Sequence, residues 1–376
     1  MRSMALKSLI HEWRRFAPAM VAVAFSGLLV LLQAGVILGI FSLSSQYVTR
    51  SGADLWIGYP GVQSLDLGRP LTGPAEVYAW MNPHVRRLEP FLWGSGEWRT
   101  RSQGMVNVYI VGVDPRPDGL ALSEALTPAQ RAALAEPDSA LVDDADLHKL
   151  QTAVGETAEI NGRYLRVVGV THGLRALGGV NVIASLATTR RLDPAAGPQG
   201  RVAYFLARLD DPRAADRVAA ALNADGASRG FEALTAPAFA RRTTLYWLAE
   251  SGAGVAFVFG SVVAILVAGV ITSQTLSAAV AGSMREYAAL RALGFSMRAL
   301  RRIVVAQSAW VGGAGLAVGG LLTALLVLAA AAGAIPIVLT PVMVAIAAAL
   351  VMLTALGSGA LALRRVAQAD PAVLLL

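Results

Sequence analysis

Three acidic residues within four positions, Asp143, Asp144 and Asp146, are the first group in this chain with the chemistry to hold a cation. Neither a glycine nor a matching carboxylate follows at the spacing of a calcium loop, so a solvated turn or helix start is the better reading. His172, beside Gly173, has the chemistry of a base but no nucleophile partner, and reads as a loop residue. His11, His84, His148 and His172 are scattered and there is no Cys, so no metal site is expected. Nucleotide chemistry lacks its residues as well. The chain has two lysines, Lys7 and Lys149, and neither follows the glycine-rich run whose backbone N–H groups cradle phosphates. No catalytic constellation and no bound cofactor are expected; any energy must come from a partner or from none.

The elements around these residues are dictated by where charge is missing. No Asp, Glu, Lys or Arg occurs from Phe16 to Thr49, from Ser251 to Met284, or from Ile303 to Leu363. A bilayer core needs roughly 20 apolar residues per helix. The first two windows therefore hold one span each, and the third holds two with a bend near Gly333, Pro336 and Pro341. The expected organisation is a segment 1–15, helix 16–45, an outer domain with stalk 46–245, helix 246–284, a loop 285–302, helix 303–333, a turn 334–341, helix 342–363 and a tail 364–376. The first two windows exceed one bilayer thickness, and the surplus is expected to project as a helical stalk, with Ala240–Glu250 as its lower part.

Basic residues set the orientation. Arg2, Lys7, Arg14, Arg15, Arg285, Arg291, Arg298, Arg301, Arg302, Arg364 and Arg365 flank the spans against Glu12, Glu286 and Asp370, a net +8, whereas residues 46–250 carry a net −1. Excess Lys and Arg in short loops marks the cytoplasmic side. Both termini and the 285–302 loop are thus inside, and the large domain is outside. The basic residues are collars at span ends, which argues against nucleic-acid binding despite the +7 balance of the chain. Trp13 and Trp310 at inner ends, and Tyr246 and Trp247 at an outer end, read as interfacial belts. The apolar stretch of span one is too long for a cleaved signal peptide, so an uncleaved anchor is favoured.

The outer segment reads as mixed α and β. Residues 105–113 and 163–170 are β-branched and apolar, with Gly178–Ile183 as a further strand. Pro128–Glu136 and Arg213–Asn223 read as helices. Ala153–Arg166 reads as two strands around an Asn161–Gly162 turn, whose residues both tolerate positive φ. Without cysteines, a domain of this length can still bury a sufficient core. Within the spans, Gln33, Ser273, Gln274 and Ser277 are expected to hydrogen-bond between helices. Gly312, Gly315 and Gly319, with Gly313 and Gly320, mark span three as a close-packing helix, set against span two or four. The spans carry no charge, which argues against ion-coupled transport.

The inner loop is the most specific segment. From Met284 to Arg302, Tyr287, Leu290 and Leu293 approximate one face of a short helix, with Arg285 and Arg291 off it. Gly294 stops that helix and Ser296 caps the next. An interfacial helix lying among headgroups is the other reading. The stretch REYAALRALG resembles the coupling-helix signature of MacB/FtsX-type ABC transporter permeases. Glu286, Leu290, Arg291, Ala292, Leu293 and Gly294 match it; Ala288 departs from the usual Gly. Tyr287 and Phe295 are similar to the DevC-like branch. The tail Leu363–Leu374 and the segment Ala53–Ile57 resemble the same family.

What the resemblance implies is an α-helical membrane protein with four transmembrane helices, N-in and C-in, and a large mixed α+β periplasmic domain between helices 1 and 2. It would sit in a bacterial inner membrane as a homodimer, with spans one and two lining the subunit interface. Two ATP-binding-cassette ATPase subunits would hold the ATP and Mg, each gripping the coupling residues Arg285, Glu286, Tyr287, Leu290, Arg291, Leu293, Gly294 and Phe295. A periplasmic adaptor, and with it an outer-membrane duct, would serve efflux of hydrophobic or lipid-like cargo. The alternatives are an FtsX-like mechanotransmitter that activates a periplasmic cell-wall hydrolase without transport, and a membrane receptor or scaffold with no ATPase.

Overall fold

The computed structural model describes residues 13–71, 74–332 and 337–368. The expected N-terminal segment up to residue 12, the turn residues 333–336 and the tail from 369 lie outside the described residues, as do the side chains of Arg285, Arg364 and Arg365. The chain divides into a membrane unit, residues 1–39 and 256–376, and an outer unit, Ile40–Val255. Among the described residues, four helices are long and apolar enough to cross a bilayer. Span one is Trp13–Thr49, span two Gly252–Gly282, span three Met297–Ala332 and span four Pro341–Gln368.

Span one is 37 residues long, about 55 Å at 1.5 Å per residue. Pro18 lies inside its first two turns. The surplus before span two is built differently. A separate helix, Ala236–Ala249, ends at Glu250, and span two begins afresh at Gly252. The stalk segment is thus helical over most of Ala240–Glu250, and the break before span two has a local reason. The Ser251 hydroxyl donates to the Trp247 carbonyl and accepts from Gly254 N–H at 2.9 Å, capping the new helix. A Cβ on Gly254 would fall 1.9 Å from the Trp247 carbonyl oxygen, so only glycine allows the turn.

Among the described residues, the outer unit is built on nine strands: β1 (Leu55–Gly58), β2 (Val85–Arg99), β3 (Met105–Val113), β4 (Ser139–Asp143), β5 (Thr157–Ile160), β6 (Arg163–Thr171), β7 (Val180–Ser185), β8 (Tyr204–Leu209) and β9 (Glu232–Thr235). Their order is β3-β7-β4-β6-β5-β2-β8-β1-β9, and β3 also pairs with β2. The first six strands therefore form a closed ring, which removes exposed edges. β2 serves twice. Its residues 92–99 pair with β3, and its residues 85–91 pair with β8 in the open antiparallel portion β2-β8-β1-β9.

One core is shared by the two halves, with Val111, Leu141 and Ile183 of the ring in the same cluster as Trp56 and Tyr204. Trp56 on β1 is buried among Phe91, Tyr204 and Phe239, with ring centroids 5.2–5.8 Å away in edge or tilted contact. Tyr47 and Val48, from the last turns of span one, are buried in this same core. The ring closes around Trp98, Val108, Ile110, Val142, Val167 and Val182. The Asn161–Gly162 hairpin forms as its sequence requires, with φ of 51° and 74°. Asn161 also ties the hairpin down: its side chain accepts from Glu97 N–H at 3.0 Å and donates to the Leu192 carbonyl at 3.1 Å.

The acidic run is a helix start, as expected, but not a solvated one throughout: Asp143 caps the 3-10 turn Asp144–Asp146, accepting from Ala145 N–H at 3.3 Å. Asp143 is buried; its carboxylate accepts from Leu174 N–H at 2.8 Å and from the Thr171 hydroxyl at 3.3 Å. Burial pushes its pKa upward. Asp146 is also buried, 3.8 Å from Arg175. Asp144 alone stays half in solvent, 2.9 Å from His172, which holds its carboxyl below the usual range. The three carboxyls thus have three different partners. Among the described residues, no group of three His, Asp or Glu side chains could hold a metal ion.

A second buried polar group braces the outer unit. Glu89 on β2 is wholly buried and accepts from the backbone N–H groups of Leu120 and Ala121, the latter at 3.0 Å. Arg131, buried beside it, donates to the carbonyls of Asp114, at 2.9 Å, and Ala121. Gly119 leaves room for that guanidinium, because a Cβ there would fall 2.2 Å from Arg131 Nη1. Burial raises the Glu89 pKa above its ordinary 4.5, against the two N–H bonds that lower it. A raised folded pKa means the native state binds the proton more tightly. The contribution is therefore complete below pH 4.5 and declines as pH rises through the folded value. Glu89→Gln, which leaves one N–H without an acceptor, should cost about 1–3 kcal/mol and remove that pH slope. Denaturant melts of the full chain between pH 4 and 8 check both.

Candidate coupling site on the inner face

The inner loop folds as two helical pieces around a glycine. Met284–Ala292 is a nine-residue helix, and Leu293 carries its C-cap. Gly294 has φ +88°, the left-handed conformation that ends a helix without strain only in glycine. The Gly294 and Phe295 N–H groups return to Arg291 and Leu290 carbonyls at 3.0 and 3.1 Å. Ser296 then caps span three, its hydroxyl accepting from Ala299 N–H at 3.3 Å. The chain therefore reverses within a few residues, and the two helices are held by hydrogen bonds rather than by a slack linker.

Tyr287 is the anchor of the short helix. It is buried with Val280, Leu300 and Val304, and Leu290 and Met297 pack against this cluster. Its hydroxyl donates to Gln307 Oε1 at 2.7 Å inside span three. Leu293, expected on the same face, is not there. The helix ends at Ala292, so Leu293 turns outward and is 78% exposed. Phe295 is also exposed. The loop thus buries Tyr287 and Leu290 and presents Leu293 and Phe295, with Gly294 between them. Arg291 is exposed beside them.

Glu286 has a partner that sequence order concealed. Its Oε1 lies 2.9 Å from Arg15 Nη1, at the start of span one, and the same guanidinium nitrogen donates to the Ser283 hydroxyl at 3.2 Å. The residues are 271 positions apart. The pair joins the short helix to span one as well as to spans two and three. Both side chains are more than a third exposed, so its contribution to stability is small. Its role is to set position.

The spans that carry this loop are packed through small residues, onto one neighbour that was expected and one that was not. Gly315 and Gly319 face span one: a Cβ at Gly315 would lie 2.6 Å from Val23, and one at Gly319 would lie 2.5 Å from the Ala24 carbonyl oxygen. Gly312 faces Met352 of span four, 2.9 Å from its sulfur. Span three is therefore wedged between span four, one of the two neighbours anticipated, and span one, which was not anticipated. The polar residues confirm one sequence reading and displace another. Gln33 donates to Ser261 on span two at 3.0 Å, and Ser26 hydrogen-bonds Thr272 at 2.8 Å. Gln274 instead points to the outer surface of its helix. Trp247, read as an interfacial belt, donates its indole N–H to Ser64 and Asp66 at 3.1 Å within the outer unit.

Two family models match the chain. A family model described as MacB-like periplasmic core domain matches residues 17–225, and one described as FtsX-like permease C-terminal matches residues 258–371. Among solved structures, the periplasmic region of MacB from Actinobacillus actinomycetemcomitans is 14% identical with a TM-score of 0.35, over 50% of this chain and 92% of that one. The extracellular domain of the noncanonic ABC-type transporter YknZ from Gram-positive bacteria is 10% identical with a TM-score of 0.32, over 48% of this chain and 99% of that one. No curated protein matches.

Proposed function

Since the chain belongs to the MacB/FtsX-type family of ABC transporter permeases, we propose that it couples a cytoplasmic ATPase to its periplasmic domain through the loop 285–302. Membership implies an ABC ATPase partner; ATP and Mg would be held there, since this chain offers no phosphate-cradling lysine loop. The observation that carries the reading is the division of labour in the loop. Tyr287, Leu290 and Glu286 tie it to the spans, while Leu293 and Phe295 are left apolar and exposed beside a rigid glycine turn. An exposed leucine–aromatic tip on a braced helix is what a cleft in a partner can grip, and bracing lets the grip move the spans.

The finer reading follows from the family. The permease acts as a homodimer in a bacterial inner membrane, with a periplasmic adaptor and an exit duct, and moves hydrophobic or lipid-like cargo. The supporting observation is the uncharged interior of all four spans, which offers no route for a charged solute through this chain alone.

The test is charge reversal at Glu286. In Glu286→Lys, a lysine faces Arg15 and pushes the short helix away from span one. ATPase co-purification and ATP-dependent export should be lost while the protein still inserts and elutes as folded material. The double exchange Arg15→Glu with Glu286→Lys restores the pair and should restore co-purification. Retained association in the single variant would count against the coupling role. A double variant that stays inactive would mean that the ATPase, and not Arg15, reads the carboxylate.

A further inference from the structure

The inner end of span three carries a second feature, formed by residues other than the coupling residues named above. Arg298, Arg301 and Arg302 line an open cleft of about 720 Å³ together with Val305, Ala306, Ala309 and Trp310. These seven residues fall at i, i+3, i+4, i+7, i+8, i+11 and i+12, one stripe of the helix. The opposite stripe, Leu300, Val304, Gln307, Ser308 and Val311, is buried. All three arginines are exposed, and among the described residues none has a carboxylate at ion-pair distance. The nearest acid in sequence, Glu286, is taken by Arg15. The stripe is therefore cationic at one end and apolar below it, and Trp310 is 45% exposed about 18 Å along the axis from Arg298.

We infer that this stripe is a binding site for an anionic phospholipid, its phosphate held by Arg298, Arg301 and Arg302 and an acyl chain lying on Val305, Ala306, Ala309 and Trp310. Guanidinium groups match phosphate oxygens in a two-pronged geometry. Basic pockets beside spans on the cytoplasmic side suit acidic headgroups. The length and polarity of the stripe fit one lipid, head at one end and chain along the rest. A second copy of the chain related by a two-fold axis on this face would bring arginines onto arginines. A soluble protein below the membrane would reach the arginines but not Ala309 and Trp310, which lie inside the uncharged window. The site needs no ATPase to form.

The experiment uses the full chain in vesicles of phosphatidylcholine containing phosphatidylglycerol, with bromine on the acyl chains of one lipid or the other. The Trp310 signal is isolated by subtracting a Trp310→Phe variant. At equal mole fraction, brominated phosphatidylglycerol should be enriched at Trp310 about fivefold or more over brominated phosphatidylcholine, and high salt should shrink the difference. Replacing all three arginines by glutamine should bring the two lipids to parity, quenching by brominated phosphatidylcholine rising as that by brominated phosphatidylglycerol falls, with an unshifted melting temperature in detergent as the sign that the bundle is intact. Equal quenching in the unaltered protein would overturn the proposal, as would a preference that survives the triple replacement. Quenching by neither lipid would place another protein chain over the face, and would overturn it as well.

Discussion

Leu293→Asp should leave the chain as stable as the unaltered protein and abolish its hold on the ATPase. Leu293 is 78% exposed at the tip of the loop and contributes almost nothing to the bundle. Surface changes away from packed features usually shift stability by under about 0.5 kcal/mol. A charge placed in a partner's apolar pocket costs about 2 kcal/mol or more at an interface centre, roughly a thirtyfold loss of affinity. Leu290→Asp, three residues earlier, should do the reverse. It inserts a carboxylate among Tyr287, Val280 and Leu300, so the loop itself should come apart and the melting temperature should fall. Co-purification of the ATPase and thermal melting in detergent separate the two. If Leu293→Asp retains the ATPase at full occupancy, the tip is not the gripped surface.

That contrast was only half legible in the sequence. Tyr287, Leu290 and Leu293 have the spacing of one helical face, and the first two obey it. Leu293 does not, because Gly294 takes a positive φ and ends the helix one residue too soon for the third leucine to fall in line. Both facts were present in the residues; only their order of precedence was not. The Glu286–Arg15 pair was beyond reach, since 271 residues separate its members. No periodicity links the starts of two different helices.

The outer unit divides along similar lines. β3 and the β5–β6 hairpin were readable because alternation or an Asn-Gly turn is local. β2 was not readable. Its fifteen residues include Pro90, Gly94, Gly96 and five charged side chains, the composition of a loop. Each departure is explained by a neighbour. Gly94 lies against Asp193 and Ala196, and Gly96 against Ile160 and Asn161, where a Cβ would fall within 2.7–3.1 Å of side-chain atoms. Glu89 satisfies two backbone N–H groups of a distant loop. β4 was hidden by its last residue, Asp143, which was grouped with the exposed Asp144 until burial told them apart. Strands that carry their partners' constraints do not look like strands on their own.

Span three gives the second large effect, and one with internal controls. Gly319→Ala should destabilise the bundle, because the added Cβ would sit 2.5 Å from the Ala24 carbonyl oxygen and 3.2 Å from its Cα. Both are backbone atoms of span one, and neither can step aside without moving the helix. Gly315→Ala meets Val23 side-chain atoms at 2.6 Å and the Met20 carbonyl at 3.0 Å, and should behave alike. Overpacking of this kind costs about 1–3 kcal/mol each, and leucine at either site should prevent the bundle from closing. Gly312→Ala meets only the Met352 thioether at 2.9 Å and the neighbouring Ala355 methyl at 3.5 Å. That side chain is flexible enough to yield, so the cost there should be small. Gly313 and Gly320 have nothing within 4 Å of a would-be Cβ. Alanine at those sites should be neutral or stabilising, since it lowers the entropy lost by the backbone in a helix. The order expected from melting in detergent is therefore Gly319 and Gly315 most damaged, Gly312 slightly, Gly313 and Gly320 unharmed. Equal damage at all five would mean that glycine serves helix flexibility here, and not the approach of span three to span one. The same order should appear in ATP-driven turnover, because Arg15, the partner of Glu286, stands on the helix that Gly315 and Gly319 hold in place.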